Sequence, residues 1–336
     1  MSHSSSEISV IPGRIVNDII RADMPHLVDL VARTYRAHAA NQTVNPPSQF
    51  LRFPHQPNAR IISLPAYLGD DRPVSGVKWI ASYPDNIKHG IARASAVLLL
   101  NDAATGYPFA CLEGSVISAA RTAASAALAA YWLSDGQQCV DRIGFVGTGL
   151  IARYIFDFLV GTGWRAKTTV LCDSVASHAQ ALSSHVVAAG WPEPGFVSSA
   201  SEVLRTCDLV VFATTAATPH VADPKLLRHN PRVLHISLRD LAPEIILAAD
   251  NIVDDIDHCL TASTSPHLAE QKSGGRDFIT GTIVDLIDGR IRLDPGRPVI
   301  FSPFGMGILD LAVGRYVHEQ AAATGRAQRI PDFLFH

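Results

Sequence analysis

The segment that most constrains the fold of this chain is a glycine-containing turn at residues 147–152. Apolar residues at 143–146 precede it as a strand would, and apolar residues recur at helical spacing over 155–160. The turn itself has the order Gly147, Thr148, Gly149, Leu150, Ile151, Ala152. In this spacing the first glycine permits a tight turn, the second lets a phosphate approach the backbone, and a small third residue allows close helix packing. The segment therefore predicts the strand, turn and helix of a dinucleotide-binding unit.

The residues that follow strengthen this interpretation. The next strand-like run, TTVLCD, ends at Asp173, where a carboxylate can accept hydrogen bonds from a ribose. Residues 174–176 are Ser, Val and Ala, which offer no cation for a 2′-phosphate, so NAD is favoured over NADP. Further strand-like runs end near Thr214-Thr215 and near Ser237. This alternating β/α series predicts a Rossmann domain, and the alternative is a flavodoxin-like sheet that binds no dinucleotide.

Composition excludes several classes of partner. The chain has 28 Lys and Arg against 31 Asp and Glu, which gives no electrostatic case for nucleic acid or an anionic membrane. Its 5 cysteines include no C-x-x-C pair, so we expect reduced thiols and a cytoplasmic protein. The first residues lack a signal-peptide pattern, and the Ala-rich run around Arg121 is predicted to be a packed helix rather than a membrane span.

The domain organisation follows from the position of the glycine turn. With 336 residues, about two domains are expected. A helix with Asp23 as its N-cap and strand-like runs come before the turn, and an apolar helix containing Ile308, Leu311, Ala312 and Tyr316 comes late in the chain. We predict an α/β protein in which a Rossmann domain, 126–308, is inserted into an α+β domain formed by 1–125 plus 309–336.

Four cations of the first domain lie among small or apolar neighbours. They are Arg52, Arg60, Lys78 and Arg121. Unpaired charges are costly to bury, so each could form a structural ion pair. Together, beside a dinucleotide site, they favour binding of anionic substrate groups. Arginine offers a bidentate fork to a carboxylate, and the pKa of a buried lysine shifts readily, so Lys78 is the best candidate for chemistry.

Asp240 is the complementary candidate in the Rossmann domain. It follows a predicted strand, where ligands of open α/β sheets bind, and its carboxylate could take a proton from an amine or activate water. The alternative is an N-cap for a helix that opens at Leu241 or Ala242.

Two histidine-containing patterns carry less weight. The segment VDDIDHC, 253–259, has the residue types of a metal site without a second ligand group at a recognisable spacing. A structural role is favoured there, and no metal ion is expected. His178 and His185 lie on one predicted helix and are expected on its solvated face.

The chain resembles the ornithine cyclodeaminase/mu-crystallin superfamily over nearly its whole length. The resemblance lies in SGVKWI, LNDAATGYP, ISAARTAAS, GFVGTGLIA and SPFGMGILDLA. Within that superfamily, SGVKWIAS, ARASAVLLLND and VDDIDHC look most like the N-(2-amino-2-carboxyethyl)-L-glutamate dehydrogenases, which make L-2,3-diaminopropionate for siderophores and antibiotics.

The resemblance implies a homodimer, with the split domain binding substrate and forming the dimer. It implies Lys78 and Asp240 as catalytic residues. Substrate carboxylates are expected at Arg52, Arg60, Lys78, Arg93 and Arg121. NAD contacts are expected at Arg121, Thr122, Gly147, Thr148, Gly149, Leu150, Ile151, Asp173, Thr214, Thr215 and Ser237. Cyclodeaminases usually have a neutral residue in place of Arg93, so the extra cation favours a tricarboxylate.

The implied reaction is NAD-dependent oxidation of a secondary amine to an imine, which hydrolyses to 2-oxoglutarate and L-2,3-diaminopropionate. The alternatives are another amine or imine oxidoreductase of the family, namely an ornithine cyclodeaminase, alanine dehydrogenase or ketimine reductase, and a non-catalytic binder of NAD(P)H or a small molecule. A binder needs no proton-handling pair, which argues against that class.

Overall fold

A computed structural model describes residues 7–334 of the chain. Thr122–Gly305 forms one compact unit, here called the inserted unit, and the described residues before and after it form the other, the split unit. The expected boundaries differ from these by four residues at the first junction (125 against 121) and by three at the second (308 against 305).

The split unit begins with strands and helices in close succession. These are β1 (Ile8–Ile11), α1 (Gly13–Ala22), α2 (Met24–Ala39), β2 (Thr43–Val44), β3 (Gln49–Phe53), β4 (Gln56–Leu68), β5 (Val74–Ser82), a 3-10 helix (Pro84–His89), β6 (Ala94–Asp102) and β7 (Pro108–Glu113). The expected capping of α2 is confirmed, because the Asp23 side chain accepts a hydrogen bond from the His26 N–H.

Helix α3 (Gly114–Leu133) contains the first junction between the units. It is long and apolar enough to cross a membrane by length and composition, but 67% of the apolar window is buried inside the protein. That burial is typical of a core helix and agrees with the predicted packed helix.

The inserted unit alternates strands and helices. Its elements are β8 (Cys139–Val146), α4 (Leu150–Gly161), β9 (Arg165–Cys172), α5 (Ala176–Ala188), β10 (Gly195–Phe196), α6 (Ala200–Thr206), β11 (Leu209–Phe212), a 3-10 helix (Pro224–Leu227), β12 (Arg232–His235), α7 (Pro243–Leu247), β13 (Asp250–Val253), α8 (Ile256–Cys259), α9 (Ser265–Ser273), β14 (Ile279–Thr282), α10 (Ile283–Ile287) and β15 (Val299–Ser302).

The inserted unit has a doubly wound parallel sheet. Its strand order is β10-β9-β8-β11-β12-β15-β13-β14, and every pairing is parallel. Strands β9 and β10 lie to one side of β8, and β11 and β12 lie to the other, so the direction of winding reverses between β8 and β11. Ligands of such sheets bind at that reversal, beyond the carboxyl ends of the strands. The predicted Rossmann architecture is confirmed.

The chain then returns to the split unit through α11 (Gly307–Ala323) and β16 (Gln328–Ile330). The first sheet has the order β16-β1-β7-β6-β5-β4-β2, with β3 paired to β4. Helix α11 packs against β4, β5 and β6. The approach is close, since a Cβ on Gly314 would lie 2.2 Å from the Leu98 side chain. Of the expected apolar face of α11, Ile308 and Leu311 are fully buried and Tyr316 is half-buried.

Candidate functional site

The glycine turn of the inserted unit has the geometry that its sequence predicts. Gly147 has a φ of +80°, and a Cβ there would lie 2.6 Å from the carbonyl oxygen of Ala213. A Cβ on Gly149 would meet nothing within 4 Å, and Gly149 caps α4 without a side-chain hydrogen bond. The first N–H groups of α4 therefore face open space, which fits the pyrophosphate of a dinucleotide.

Asp173 lies directly after β9 and holds this turn. One carboxylate oxygen accepts hydrogen bonds from the Thr148 N–H and hydroxyl, both at 2.7 Å, and the other accepts from the Val175 N–H at 2.8 Å. Burial alone would raise the pKa of Asp173, but these hydrogen bonds outweigh burial and the pKa lies below its usual value. The ionised carboxylate is half-buried and suited to accept from a ribose, although that contact stays a prediction.

Asp240 is the centre of a second group in the same unit. Its side chain is fully buried and accepts hydrogen bonds from the hydroxyls of Thr214 and Ser237, one on each oxygen. The Nε2 atom of His220 lies 3.0 Å from Oδ1, and the Nε2 atom of His235 lies 3.6 Å from Oδ2. The side chains that follow β11 and β12 thus converge on one carboxylate.

The surroundings keep Asp240 ionised. Burial alone would raise the pKa of this carboxyl, but the neighbouring His235 and the two hydroxyl donors outweigh it, so the pKa lies well below the usual value. The alternative role as a helix cap is wrong, because α7 begins at Pro243 with Ala242 as its N-cap and without a side-chain cap. Asp240 instead organises the loops at the carboxyl ends of two strands.

The other residues expected to contact NAD have varied surroundings. Thr214 and Ser237 donate their hydroxyls to Asp240. Thr215 and Leu150 are exposed, and Thr122 is half-buried in α3. Ile151 lies half-buried in the first turn of α4. Their contacts with a cofactor remain predictions.

A buried ionic group forms the candidate site of the split unit. Lys78 on β5 donates to Asp310 Oδ2 on α11 at 2.6 Å and to the Ser118 hydroxyl on α3 at 3.1 Å. Arg121 Nε lies 3.3 Å from the other oxygen of Asp310. The exposed fractions of the Lys78 and Asp310 side chains are 2% and 0%. Sequence reasoning missed Asp310, although a carboxylate inside the apolar run GILDLAV was the signal for it.

Burial dominates the protonation of Lys78. It disfavours the ammonium form, and Arg121 acts in the same direction, whereas Asp310 stabilises the ammonium. The net effect lowers the pKa of Lys78 from 10.5 to about 8. This lysine can therefore gain or release a proton near neutral pH, which suits acid-base chemistry.

Three of the five predicted substrate cations leave one face of the first sheet, and a fourth, Arg93, reaches it. Arg52 on β3 is opposite Arg60 on β4, and Arg60 is opposite Ser82 on β5. Lys78 lies four positions before Ser82 on the same strand, so both side chains leave the same face. Arg93 Nη1 donates to the Ser82 hydroxyl at 2.8 Å, which brings its guanidinium to that face as well.

Two of these arginines have distinct surroundings. Arg52 is exposed rather than buried, and its guanidinium carbon lies 5.3 Å from the centre of the Phe50 ring. Arg93 is partly buried, and burial lowers the pKa of its guanidinium. Within residues 7–334, no carboxylate lies within ion-pair distance of Arg93. It is therefore a partly desolvated cation available to an anionic ligand.

The remaining patterns have structural partners. Asp254 accepts hydrogen bonds from the N–H groups of Phe304 and Gly305, and Asp255 caps α8. His185 differs from its expected solvated position, because its Nε2 lies 2.5 Å from the buried Asp157. Helix α5 therefore packs this histidine against α4.

Comparison with known proteins agrees with this architecture. Residues 16–325 match the model of the ornithine cyclodeaminase/mu-crystallin family. The chain is 29% identical over 308 residues to the N-((2S)-2-amino-2-carboxyethyl)-L-glutamate dehydrogenase of Staphylococcus aureus, covering 88% of this chain and 89% of that protein.

Two solved structures share the fold. The Δ(1)-pyrroline-2-carboxylate reductase of Thermococcus litoralis, in complex with NADH and L-proline, has a TM-score of 0.88 at 22% identity, with 96% of this chain and all of that chain covered. An archaeal alanine dehydrogenase dimer with bound NAD has a TM-score of 0.82 at 23% identity, with 96% and 99% covered.

Proposed function

The chain belongs to the ornithine cyclodeaminase/mu-crystallin family, and we propose that it is an NAD-dependent dehydrogenase of N-(2-amino-2-carboxyethyl)-L-glutamate. It oxidises the secondary amine to an imine, which is hydrolysed to 2-oxoglutarate and L-2,3-diaminopropionate. The diaminopropionate is then available to siderophore or nonribosomal peptide biosynthesis. The observation that most supports this substrate is the group of cations on one face of the first sheet.

The enzyme class and the cofactor expected from the sequence agree with the relatives. The Staphylococcus aureus protein is named a dehydrogenase, and the two solved structures, a reductase and a dehydrogenase, contain NADH or NAD. In this chain the open N-terminus of α4 fits a pyrophosphate, and Asp173 offers an ionised acceptor for a ribose. When bound, the nicotinamide accepts the hydride.

The number of cations favours a substrate with several carboxylates. The proposed conjugate carries three, whereas ornithine and alanine carry one each. Arg52, Arg60 and Arg93 place their positive charges on the same sheet face as Lys78, and Arg93 forms no ion pair among the described residues. Arginine pairs with carboxylates in a bidentate manner, so this set provides both charge and orientation.

The proton chemistry is assigned to Lys78 and to the group around Asp240. Hydride can leave the carbon beside the nitrogen only when the amine has a free lone pair, so a base must first take the ammonium proton. Lys78, with its pKa of about 8, is suited to take it near neutral pH. We assign activation of the water that attacks the imine to the group around Asp240.

The test is NADH formation, followed at 340 nm, with purified protein, NAD and the conjugate. We expect NADH to form together with 2-oxoglutarate and L-2,3-diaminopropionate, identified by mass spectrometry. L-ornithine and L-alanine run in parallel as control substrates. Proline and ammonia from ornithine, or pyruvate and ammonia from alanine, with no turnover of the conjugate, would place the chain in another branch of its family.

We also propose that the chain forms a homodimer through the outer face of its first sheet. Leu51, Trp79 and Val97 leave the face opposite to Lys78, and their exposed fractions are 47%, 43% and 42%. Contiguous exposed apolar side chains mark interaction surfaces. A related solved structure is described as a dimer. These observations favour a second copy of the chain as the partner that covers this sheet face.

Replacing Trp79 with glutamate is expected to convert the dimer into a monomer, because a charge would be buried in an apolar interface. Light scattering after gel filtration measures the mass directly. Phe196→Glu is the matched control, since Phe196 is an exposed aromatic residue of the inserted unit, with an exposed fraction of 51%. A wild-type monomer, or a Trp79→Glu variant that stays dimeric, would contradict the proposed interface.

A cytoplasmic location is part of the same proposal. All five cysteines are free thiols, and Cys172, Cys207 and Cys259 are buried. Half-buried Cys111 and exposed Cys139 likewise have no disulfide partner. Free thiols of this kind are typical of a reducing compartment, where a nicotinamide-linked amino acid enzyme would find its cofactor.

A further inference from the structure

We propose that His220 is the group that activates water in the inserted unit, and that Asp240 acts as its positioning residue. This inference rests on the proposed function, because it assigns a role in hydrolysis of the imine that amine oxidation leaves. It differs from direct proton transfer by Asp240, which the family resemblance implies. Three observations carry it: the closed surroundings of Asp240, the way His220 is held, and the exposure of its ring.

Asp240 has little capacity to act on a substrate directly. Its exposed fraction is 0%, so a ligand or a water molecule from the solvent does not reach its oxygens as the loops stand. The Thr214 hydroxyl and the His220 ring occupy Oδ1, and the Ser237 hydroxyl occupies Oδ2. A carboxylate surrounded in this way stabilises and orients its donors.

His220 is tied to Asp240 twice. Its ring Nε2 lies 3.0 Å from Asp240 Oδ1, and its backbone N–H donates to the Asp240 carbonyl oxygen at 2.9 Å. The next residue, Val221, also donates to that carbonyl, at 3.0 Å. The segment after β11 is therefore fixed to the segment after β12, and the imidazole has a defined direction.

The carboxylate selects the tautomer of His220. An ionised carboxylate accepts hydrogen bonds and cannot donate, so Nε2 must carry the proton that points to Asp240. In the neutral ring this leaves the lone pair on Nδ1. The exposed fraction of the side chain is 42%, so Nδ1 is on a ring that solvent can reach. A carboxylate that orients a histidine in this way is the arrangement used by Ser-His-Asp hydrolases.

His235 is the other histidine beside Asp240, and it is not equivalent. Its exposed fraction is 1%. Its Nδ1 lies 3.2 Å from the Ser302 hydroxyl, and its Nε2 lies 3.3 Å from the backbone nitrogen of Asp240. Both ring nitrogens are thus occupied inside the protein. Only His220 of the two combines contact with Asp240 and access to water.

The step balances without an added oxidant or reductant. Nδ1 of His220 takes one proton of a water molecule while the water oxygen forms a bond to the carbon of the protonated imine that hydride removal leaves, and the C=N π electrons move to nitrogen. As the carbon–nitrogen bond of the resulting carbinolamine breaks, the imidazolium returns its proton to the departing nitrogen, and the carbinolamine hydroxyl releases its proton to solvent as the C=O bond forms. The products are the oxo acid and the free amine.

The test separates hydride transfer from hydrolysis. In a rapid-mixing experiment, His220→Ala is expected to form NADH in a first burst equal to the enzyme concentration, as the wild-type protein does, because the oxidation step is intact. The steady-state rate that follows is expected to fall by about 10²- to 10⁴-fold, the range that general acid-base groups contribute. Added imidazole should restore part of the steady-state rate.

Two further variants complete the design. His220→Gln preserves an N–H donor toward Asp240 but has no base, so its steady-state rate should fall as far as that of His220→Ala. It therefore tests the proposal even if the alanine variant folds poorly. His229→Ala is the matched control, because His229 is an exposed histidine of the same unit whose Nε2 contacts the Cys207 carbonyl oxygen at 3.0 Å. It should retain the wild-type rate and respond to imidazole no more than the wild type does.

The failures of the two proposals differ. Wild-type steady-state rates in both His220 variants, or a loss that imidazole does not relieve in His220→Ala, would overturn the role of His220 and leave the substrate assignment intact. If the wild type oxidises L-alanine and leaves the conjugate untouched, the substrate assignment fails. The His220 comparison is then made with alanine, whose oxidation also leaves an imine to be hydrolysed.

Discussion

Replacing Lys78 with methionine is expected to lower kcat/KM for amine oxidation by about 10²- to 10⁴-fold and to abolish the NADH burst, because no base remains to free the amine lone pair. Methionine fills a similar volume, but it leaves Asp310 with Arg121 as its remaining ionic partner. Burst amplitude and steady-state rate are measured together with NADH binding, which should be unchanged.

The pH dependence provides a second measure of Lys78. Below pH 8 the side chain is largely protonated and cannot act as a base, and above it the neutral amine predominates. The wild-type kcat/KM should therefore rise as the pH increases through about 8 and then level off. Lys78→Arg preserves a cation toward Asp310 but stays protonated throughout, so it should be slow at every pH.

The control for these variants is Lys88→Met. Lys88 is a lysine of the same unit whose side chain is 75% exposed and pairs with Asp85 on the surface. It should leave the rate and the pH profile unchanged. A Lys78→Arg enzyme with the wild-type rate would remove Lys78 from proton transfer and leave it a purely electrostatic role.

Asp310→Asn is expected to have the largest effect on stability. The carboxylate is the shared partner of Lys78 and Arg121, and its replacement leaves two cations in the interior without their counter-charge. Removing one partner of a buried ion pair typically costs about 3–5 kcal/mol. Urea denaturation of the variant should therefore show a lower midpoint with an unchanged slope.

The same variant should also change the chemistry of Lys78. Asp310 opposes the effect of burial on the pKa of Lys78, so its loss should lower that pKa further and move the rise in kcat/KM to lower pH. Asp18→Asn is the matched control, because Asp18 forms an exposed pair with Arg326 at 3.4 Å. Exposed ion pairs contribute little to the free energy of unfolding. A denaturation midpoint equal to that of the wild type in Asp310→Asn would contradict the importance of this charge group.

The parts of the structure that were predictable from sequence are those coded by local patterns. The glycine turn predicted a strand, a tight turn and a helix, and β8, Gly147 and α4 form them. Asp173 was predictable because an acid at the end of the second strand lies at a fixed place in this fold. Asp23 was predictable because an N-cap acts on its own helix.

The parts that were not predictable depend on contacts between distant residues. Lys78 and Asp310 are separated by 232 positions, and no local pattern pairs a lysine of one strand with a carboxylate of a late helix. The partners of Asp240 come from two loops, and His220 is 20 positions before it. The sequence predicted that Asp240 follows a strand, where helix capping and catalysis were equally reasonable roles. The structure excludes the capping role, because Ala242 is the N-cap of α7.

Arg52 and His185 show a different limit of sequence reasoning. Apolar neighbours suggested burial for Arg52, but they belong to a β-strand whose residues are largely exposed, so the guanidinium lies over an aromatic ring at the surface. Helical spacing placed His185 on the solvated face of α5. The packing of α5 against α4 brought it to Asp157 instead, a contact that the period of one helix cannot reveal.

The attachment of Thr148 to Asp173 has a consequence for coenzyme engineering. In Rossmann domains the acid at the end of the second strand favours NAD, whereas a cation nearby accommodates the 2′-phosphate of NADP. In this chain that acid also accepts hydrogen bonds from the backbone and hydroxyl of Thr148, in the turn that we expect to bind the diphosphate. The same residue therefore determines both the coenzyme preference and the conformation of the glycine turn. A change of preference requires a residue at 173 that still accepts hydrogen bonds from Thr148.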